Sequence, residues 1–372
     1  MKKELVVTDT WNKEIYTLRF ALTTVCNLDC RYCFVKKNGK VISLNQAEEI
    51  LDFFLNSPGE DKLLMIYGGE PLLFFSLLKK IINFAKQAAM KNGKKLTISI
   101  GTNGTLLNKE RIDFFKKENI KVSMSIDGKK EVHNKGRLSK EKTGSFARVV
   151  AKVPLLIKNI KKHNRSVLLG VLPESADELF ENFLYIISLG FDSINVEPIY
   201  SPSFIWDDKQ KKSFKRELQK IIGYIYENIN KRNFIFLNSI NRKFKQEEVD
   251  NVYDNTTRCP FYENLEIYPA GEMTFSPFLI NSTKKEAYII GSIENGIAKK
   301  YQGCKYSPAF ARCKKCFSDY SHLTNTKKNI AEDVIKIRNL YSVYLVAKVV
   351  ELADGNEAFA DYISEAKKRI FE

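Results

Sequence analysis

The sequence contains no run of about 18 apolar residues, the length needed to span a membrane, and its amino-terminal segment lacks the apolar stretch of a signal peptide. These absences predict a soluble, cytoplasmic protein without a membrane partner.

Histidine is also scarce. The chain has 3 histidines in 372 residues, and His133, His163 and His322 do not have metal-ligand spacing. Histidine-based metal sites are therefore not expected.

The chain is rich in lysine and carries a formal net charge of +16. A basic balance can attract nucleic acid or an acidic peptide, but these lysines are dispersed and no aromatic RNA-binding motif interleaves with them. The pattern is typical of a solvated lysine-rich surface, so nucleic acid is not expected as a partner. With 44% hydrophobic residues, the chain can bury a sizeable core.

Short apolar, β-rich runs alternate with helical patterns from residue 14 to about residue 200. This alternation is typical of strand-helix units that build a parallel sheet. The predicted strands cover residues 15–22, 63–67, 96–100, 121–126, 166–172 and 193–199. The predicted helices cover residues 44–56, 75–90, 109–118, 146–163 and 176–189. Ser43 and Gln46 have capping-box spacing at the start of the first helix.

The composition changes after about residue 200. A lysine-rich amphipathic helix is predicted between 204 and 250, and a turn-rich segment covers 259–320. Residues 328–372 read as two helices separated by Asp354–Gly355. The expected organisation is a core at 14–200, a helical linker at 201–250, a small domain at 251–325 and carboxy-terminal helices at 326–372.

The seven cysteines fall into two sets, and the first set is the sharpest chemical signal in the sequence. Cys26, Cys30 and Cys33 follow closely on the first predicted strand with CxxxCxxC spacing. Three thiolates on a tight loop can ligate three irons of a 4Fe-4S cluster and leave the fourth iron open for chemistry. A chance trio of cysteines, or half of a zinc site, is the alternative.

This CxxxCxxC loop, with the aromatic Tyr32 before its last cysteine, resembles the radical S-adenosylmethionine (SAM) superfamily. The resemblance implies a catalytic 4Fe-4S cluster on Cys26, Cys30 and Cys33 that binds SAM and cleaves it reductively to a 5′-deoxyadenosyl radical. It also implies an α/β fold with a partial (β/α)6 barrel, because fewer strand-helix units are predicted than a closed barrel needs. A doubly wound Rossmann sheet is the alternative, although no GxGxxG motif follows the first strand.

Further motifs follow in the order of the same family, each at or just beyond the carboxyl end of a predicted strand, where parallel α/β folds place ligands. Tyr67-Gly68-Gly69-Glu70-Pro71 follows the second strand, Gly101-Thr102-Asn103-Gly104 the third, and Ser125-Ile126-Asp127-Gly128 the fourth. Arg137 resembles a carboxylate-binding arginine of the family, and a surface loop arginine is the alternative. The resemblance implies a SAM pocket lined by Tyr32, Gly68, Gly69, Glu70, Thr102, Asn103, Ser125, Asp127 and Arg137.

The second cysteine set resembles the SPASM/twitch extension of this superfamily. Cys259, Cys304, Cys313 and Cys316 supply four thiolates, enough to saturate one auxiliary 4Fe-4S cluster. Where a full SPASM extension has a further hairpin cysteine, this chain has Ser276 and Pro277. A twitch-like domain with a single auxiliary cluster is therefore expected. A tetrahedral zinc site made by the same four thiolates is the alternative.

Enzymes that resemble this layout commonly modify ribosomally made peptides. The resemblance therefore implies an oxidoreductase that oxidises or crosslinks a peptide, with a flavodoxin or ferredoxin as electron donor. Dehydrogenation or rearrangement of a small metabolite is an alternative, and an iron-sulfur or zinc binding protein is another. Only about 13 residues precede the first strand, fewer than a leader-binding domain needs. Glu197, at the end of the sixth strand, is a candidate acid or base, or equally a structural ion-pair partner.

Overall fold

A computed structural model of the chain describes residues 14–199, 203–237, 264–274, 289–293, 296–297 and 356–371. Several predicted features lie outside these ranges: Cys259, Cys304, Cys313, Cys316, Ser276, Pro277 and the first of the two carboxy-terminal helices. In the described ranges, no helix is both long and apolar enough to cross a membrane.

Six parallel strands form the centre of the sheet, and each lies close to a strand predicted from the sequence. They are β1 (Thr17–Thr23), β2 (Asp61–Gly68), β3 (Lys95–Thr102), β4 (Lys121–Ser125), β5 (Arg165–Val171) and β6 (Ser193–Pro198). Strands β1 to β6 lie side by side in chain order, and each neighbouring pair is parallel. The predicted α/β fold with a parallel core is confirmed.

Shorter strands extend both edges of this core. They are β7 (Phe236–Leu237), β8 (Asn264–Ile267), β9 (Glu272–Thr274), β10 (Gly291–Ser292) and β11 (Gly296–Ile297). Strand β7 is parallel to β6, β8 is parallel to β1, and β9 to β11 continue antiparallel from β8. Strands β8 and β9 form a hairpin within the segment predicted to be rich in turns.

The sheet formed by the described strands is open, because β1 pairs with β2 and β8 whereas β6 pairs with β5 and β7. Strands β7 and β8 come from the predicted linker and the predicted small domain, yet both join the core sheet. The boundaries at 200 and 250 are therefore not edges of the sheet. The division into four domains stays a prediction.

The helices of the described ranges connect the parallel strands or follow them. They are α1 (Leu44–Asn56), α2 (Phe75–Lys91), α3 (Lys109–Lys117), α4 (Lys130–Gly136), α5 (Phe146–Val150), α6 (Val153–Asn159), α7 (Leu179–Ser188), α8 (Asp208–Asn230) and α9 (Glu357–Phe371). The predicted capping box of α1 is present. Ser43 Oγ accepts the Gln46 N–H at 3.2 Å, and Gln46 Oε1 accepts the Ser43 N–H at 3.1 Å.

Two helix predictions were wrong in detail. The single helix predicted over 146–163 is divided into α5, α6 and a 3-10 turn at Lys162–Asn164. Pro154 stands in the first turn of α6, and its missing N–H and fixed φ favour a new helix start there over continuation of α5. The helix predicted from 176 begins as a 3-10 turn at Pro173–Glu178, so that α7 starts later.

The core sheet has two different faces. Alternate residues such as Phe20, Ile66 and Ile100 are fully buried beneath the helices. Many of the residues between them are half-buried. The half-exposed face comprises Arg19, Met65, Tyr67, Ser99, Gly101, Ser123, Ser125, Leu168, Asn195 and Glu197. A face of small and polar side chains above a packed core is suited to bind a ligand.

Candidate metal and cofactor site

The motifs singled out in the sequence meet at one edge of the sheet. The cysteine loop follows β1, Gly68–Glu70 ends β2, Thr102 and Asn103 end β3, and Ser125–Asp127 ends β4. Because these strands are parallel neighbours, their carboxyl ends lie side by side. The structure thus brings the cysteine loop and the three motifs of the predicted SAM pocket together.

Three free thiols lie on the loop after β1, with Cys26 buried, Cys30 half-buried and Cys33 exposed. Burial raises the pKa of the Cys26 thiol, and it raises the pKa of Cys30 to about 11. Both thiols are therefore neutral near pH 7 without a metal, and metal binding must displace their protons. The donor set fits an iron-sulfur cluster, since thiolates are its usual protein ligands.

Among the described residues, no three His, Cys, Asp or Glu side chains converge on a single metal ion. A cluster does not require such convergence, because each thiolate binds a different iron. The loop is therefore suited to a multi-iron group.

Backbone hydrogen bonds fix the cysteine loop to the segment after α4. The Asp29 N–H donates to Leu138 O at 2.7 Å, and the Arg31 N–H donates to Gly136 O at 2.9 Å. Leu28 and Ser139 form an antiparallel bridge in the same ladder. The position of the loop that carries the thiols therefore depends on residues more than one hundred positions away in the sequence.

Asp127 holds the same loop through side chains. Its Oδ2 accepts the Tyr32 hydroxyl and also the Arg137 Nε–H at 2.9 Å, and its Oδ1 accepts the Gly170 N–H at 3.0 Å. The Arg137 guanidinium lies over the Tyr32 ring, 5.4 Å from its centroid. We call Tyr32, Asp127 and Arg137 the Asp127 clamp. The Tyr32 hydroxyl, the Arg137 Nε–H and the Gly170 N–H all donate to a carboxylate that is 3% exposed, so the clamp is rigid and largely dry.

The family resemblance implied roles in SAM binding for Asp127 and Arg137, and those roles stay predictions. Asp127 has hydrogen bonds to protein groups on both oxygens, and Arg137 is an internal ion-pair partner and not a surface arginine. Gly136 has to be a glycine, because a Cβ there would lie 2.6 Å from the Tyr32 ring. Through Tyr32, which lies between Cys30 and Cys33, Asp127 and Arg137 also help to hold the cysteine loop.

His133 makes hydrogen bonds that connect it to the Asp127 clamp. Its Nδ1 accepts the Asp127 N–H at 3.3 Å, so Nε2 carries the proton and donates to Ser145 Oγ at 3.0 Å. The Ser145 hydroxyl in turn donates to Arg137 O at 2.8 Å. This chain of bonds requires a neutral imidazole, and burial lowers the pKa of His133 to about 4.

We expect the clamp to lose stability in mild acid because of His133. A pKa that falls from 6.5 unfolded to about 4 folded means that the unfolded chain takes up the proton first. The stabilisation is fully present above pH 6.5 and is lost as the pH falls toward 4, amounting to about 3 kcal/mol in total. Denaturant unfolding at several pH values measures it. His133→Gln should flatten the slope between pH 6.5 and 4.5, and a slope unchanged by this substitution would contradict the assignment.

Gly68 and Gly69 are needed for close backbone contact with the start of the cysteine loop. The Gly69 N–H donates to Thr23 O at 2.6 Å, and a Cβ on Gly69 would lie 2.1 Å from Val25 O. Gly68 has φ of 141° and a Cβ there would lie 2.3 Å from Thr23 O. The glycines therefore allow β2 and the loop before Cys26 to touch.

Gly69→Val is expected to disturb cluster binding as well as SAM binding. The added side chain must push away the backbone of Val25, which immediately precedes Cys26, at a cost of about 1–3 kcal/mol. Iron content after anaerobic reconstitution and the melting temperature measure the effect. Gly223→Ala on α8, where a Cβ meets nothing within 4 Å, is the matched control. Full iron loading in Gly69→Val would show that the glycine serves the ligand alone.

Glu70 braces the turns after β2 and β3. Its Oε1 accepts the Thr102 hydroxyl at 2.8 Å and the Leu72 N–H at 3.1 Å, and its Oε2 accepts the Asn103 N–H at 2.8 Å. The carboxyl is fully buried, and burial raises its pKa although these donors oppose the shift. Glu70 and Thr102 thus make hydrogen bonds within the protein, and these bonds hold the turns after β2 and β3 together.

Asn103 links the turn after β3 to the first cysteine. Its Nδ2 lies 3.8 Å from Cys26 Sγ and donates to Asn27 Oδ1 at 2.9 Å. Its Oδ1 accepts from Thr105, whose hydroxyl also accepts the Asn27 Nδ2–H at 2.8 Å. An amide dipole beside a thiolate ligand stabilises its charge. Sequence reasoning found Asn103 but missed Asn27 and Thr105, because ordinary polar residues carry no motif signal.

Residues 20–194 match the family model of the radical SAM superfamily. A cysteine-type anaerobic sulfatase-maturating enzyme of Clostridium novyi is 36% identical over 141 residues, covering 35% of this chain and 37% of the relative. A serine-type anaerobic sulfatase-maturating enzyme of Bacteroides thetaiotaomicron is 35% identical over 161 residues, covering 41% of this chain and 37% of the relative. The chain thus spans little more than a third of these relatives.

One similar solved structure is native anSMEcpe with bound AdoMet and the Kp18Cys peptide. It has a TM-score of 0.68 and 19% sequence identity, covering 90% of this chain and 99% of that chain. At this identity the likeness concerns the fold.

Proposed function

We propose, from the premise that residues 20–194 form a radical SAM domain, that this chain cleaves SAM reductively and oxidises a ribosomally made peptide. One observation carries the proposal. Three free thiols in CxxxCxxC spacing lie on a loop that is fixed from three sides, at the edge where the motifs after β2, β3 and β4 also end. A merely structural cysteine loop would not need this arrangement.

Cys26, Cys30 and Cys33 would hold the 4Fe-4S cluster, which when bound supplies the electron for SAM cleavage. The protein's own part is positioning. The Asp127 clamp fixes the orientation of the loop, and the Asn103 amide faces Cys26. Ser125 and Gly101 are half-buried at the same edge.

A peptide substrate is favoured over a small metabolite by the relatives. The two curated relatives mature sulfatases by their names, and the anSMEcpe structure holds a peptide together with AdoMet. The half-exposed face also runs across six neighbouring strands, β1 to β6. Mass spectrometry of candidate peptides coexpressed anaerobically with the protein tests this choice. A modified small metabolite with unmodified peptides would favour the alternative.

We expect the product to be an oxidation or a crosslink and not an epimer. Epimerisation through a radical needs a hydrogen donor, commonly a thiol. Three cysteines would hold the SAM cluster and the other four would saturate an auxiliary cluster, so no thiol is left. Turnover in deuterated water measures the outcome. Loss of two hydrogens per modification is the expected result, whereas one solvent deuterium at Cα without other mass change would contradict it.

A further inference from the structure

A second group of polar side chains lies where β8, β1 and β2 adjoin, apart from the Asp127 clamp. Arg19 and Tyr67 belong to the half-exposed face, and Glu266 and Tyr268 are buried beside them. Arg19 on β1 and Glu266 on β8 are direct neighbours in the register of these parallel strands. Tyr67 at the end of β2 stands opposite the small Ala21 of β1, and its hydroxyl donates across β1 to Glu266 Oε1. Tyr268, two residues after Glu266, interacts with Tyr67. We call Arg19, Tyr67, Glu266 and Tyr268 the Glu266 cluster.

Two atoms of the Glu266 cluster have no hydrogen-bond partner within the described part of the chain. They are Arg19 Nε, a donor, and Glu266 Oε2, the second oxygen of a carboxyl that is 1% exposed. A buried polar group without a partner costs about 1–3 kcal/mol. An unsatisfied donor and an unsatisfied acceptor on adjacent strands therefore indicate a missing binding partner that offers both functions.

The charges of the cluster narrow the chemistry of that partner. Arginine stays protonated, and burial raises the pKa of the tyrosine hydroxyls, so Tyr67 and Tyr268 are neutral. Burial also raises the pKa of Glu266 to about 8, against the effect of Arg19. An ammonium group would be repelled by the positive charge of Arg19. Above about pH 8, where Glu266 is ionised, its Oε2 is an acceptor, and a carboxylate ligand would offer it no donor.

We propose that the Glu266 cluster binds an amide group of the substrate, with Arg19 Nε donating to the carbonyl oxygen and Glu266 Oε2 accepting the N–H. An amide is neutral and presents one acceptor and one donor side by side, which matches the two unsatisfied atoms. The inference rests on the proposed function, because a peptide substrate supplies such groups. The proposal adds a location to that function, because it places the peptide over β8, β1 and β2.

The position of the cluster agrees with this role. Tyr67 directly precedes Gly68, and its ring centroid lies 6.3 Å from that of Phe34, the residue after Cys33. A peptide amide held by the Glu266 cluster is therefore close to the cysteine loop, and neighbouring residues of the peptide extend toward the carboxyl ends of β3 and β4. Sequence reasoning missed the cluster, since Glu266 joins Arg19 only through the sheet.

Binding of the probe N-acetylglycinamide to the reconstituted full-length chain tests the proposal, with N-acetylglycine as the comparison probe. Titrations followed by ligand-observed NMR at pH 6.5 and pH 9 give the affinities. Because an N–H donor selects the ionised carboxylate, amide affinity should rise about tenfold or more between these pH values. Tighter binding of N-acetylglycine than of the amide would overturn the proposal in favour of a carboxylate site.

Glu266→Gln keeps an acceptor for Tyr67 but turns the free oxygen into a donor. We expect it to weaken amide binding about tenfold at pH 9 and to remove the pH dependence. Arg19→Lys, which loses the Nε donor, should weaken binding similarly and serves if the first variant misfolds. Glu110→Gln, an exposed carboxylate on α3, is the control and should bind as the parent does. Unchanged affinity in both test variants would overturn the proposal.

SAM cleavage by the same samples separates the two claims. Parent protein that cleaves SAM but binds no amide probe overturns the amide site and leaves the proposed function standing. Parent protein that binds the amide with the expected pH dependence but never cleaves SAM supports the site and overturns the proposed function.

Discussion

Replacing Cys26, Cys30 and Cys33 together by alanine is expected to lower the iron content from about eight to about four per chain and to abolish SAM cleavage. The reason is that these three thiols would form the complete protein ligand set of one cluster, while the carboxy-terminal cysteines would hold the other. Iron and sulfide analysis after anaerobic reconstitution, with methionine release as the activity readout, measures both effects.

The complementary variant provides the control. Replacing Cys259, Cys304, Cys313 and Cys316 by alanine should also remove about four irons but leave SAM binding intact. Four irons and one zinc in the parent protein would instead indicate a zinc site at the carboxy-terminal cysteines. Unaltered iron content in the Cys26, Cys30 and Cys33 variant would contradict the assignment of the SAM cluster.

Asp127→Ala should be among the most destabilising single substitutions in the chain. It leaves the Arg137 guanidinium buried without its carboxylate and the Tyr32 hydroxyl without an acceptor, at a cost of about 3–5 kcal/mol. Since Tyr32 lies between Cys30 and Cys33, we expect poor iron incorporation as well as weak SAM binding. Chemical denaturation and iron analysis of the same preparation measure the two effects.

One further variant separates charge from position in this clamp, and a surface variant serves as its control. Asp127→Asn keeps the shape of the acceptor and should lose less stability than Asp127→Ala. Asp113→Ala removes an exposed carboxylate that pairs with Lys109, and its effect should stay within about 0.5 kcal/mol. Full stability and full iron loading in Asp127→Ala would show that Asp127 serves SAM and not the loop.

The sequence predicted the fold well because hydrophobic periodicity depends on local positions. All six core strands and the capping box of α1 follow from patterns within ten or so residues of one another. The short helix α4 was missed, since seven residues ending in glycine show no apolar period. The division of the helix over 146–163 was missed because the proline signal was outweighed by a continuous apolar pattern.

The site was predicted only in part, because many of its contacts depend on tertiary structure. Motif spacing identified the cysteines and the turns after β2, β3 and β4. It could not show that Asp127 points at Tyr32 and Arg137, or that Gly69 touches Val25, because such contacts arise only when distant strands pair. Glu266 is the clearest case. It lies 247 positions from Arg19 in the sequence and becomes its neighbour through β8.

The most direct test of the central claim is SAM cleavage by the chain of 372 residues, reconstituted anaerobically with iron and sulfide and then reduced with dithionite. The account predicts methionine and 5′-deoxyadenosine in equal amounts, with neither product from the Cys26, Cys30 and Cys33 variant. A parent protein that carries its full iron content, binds SAM and releases neither product would contradict it.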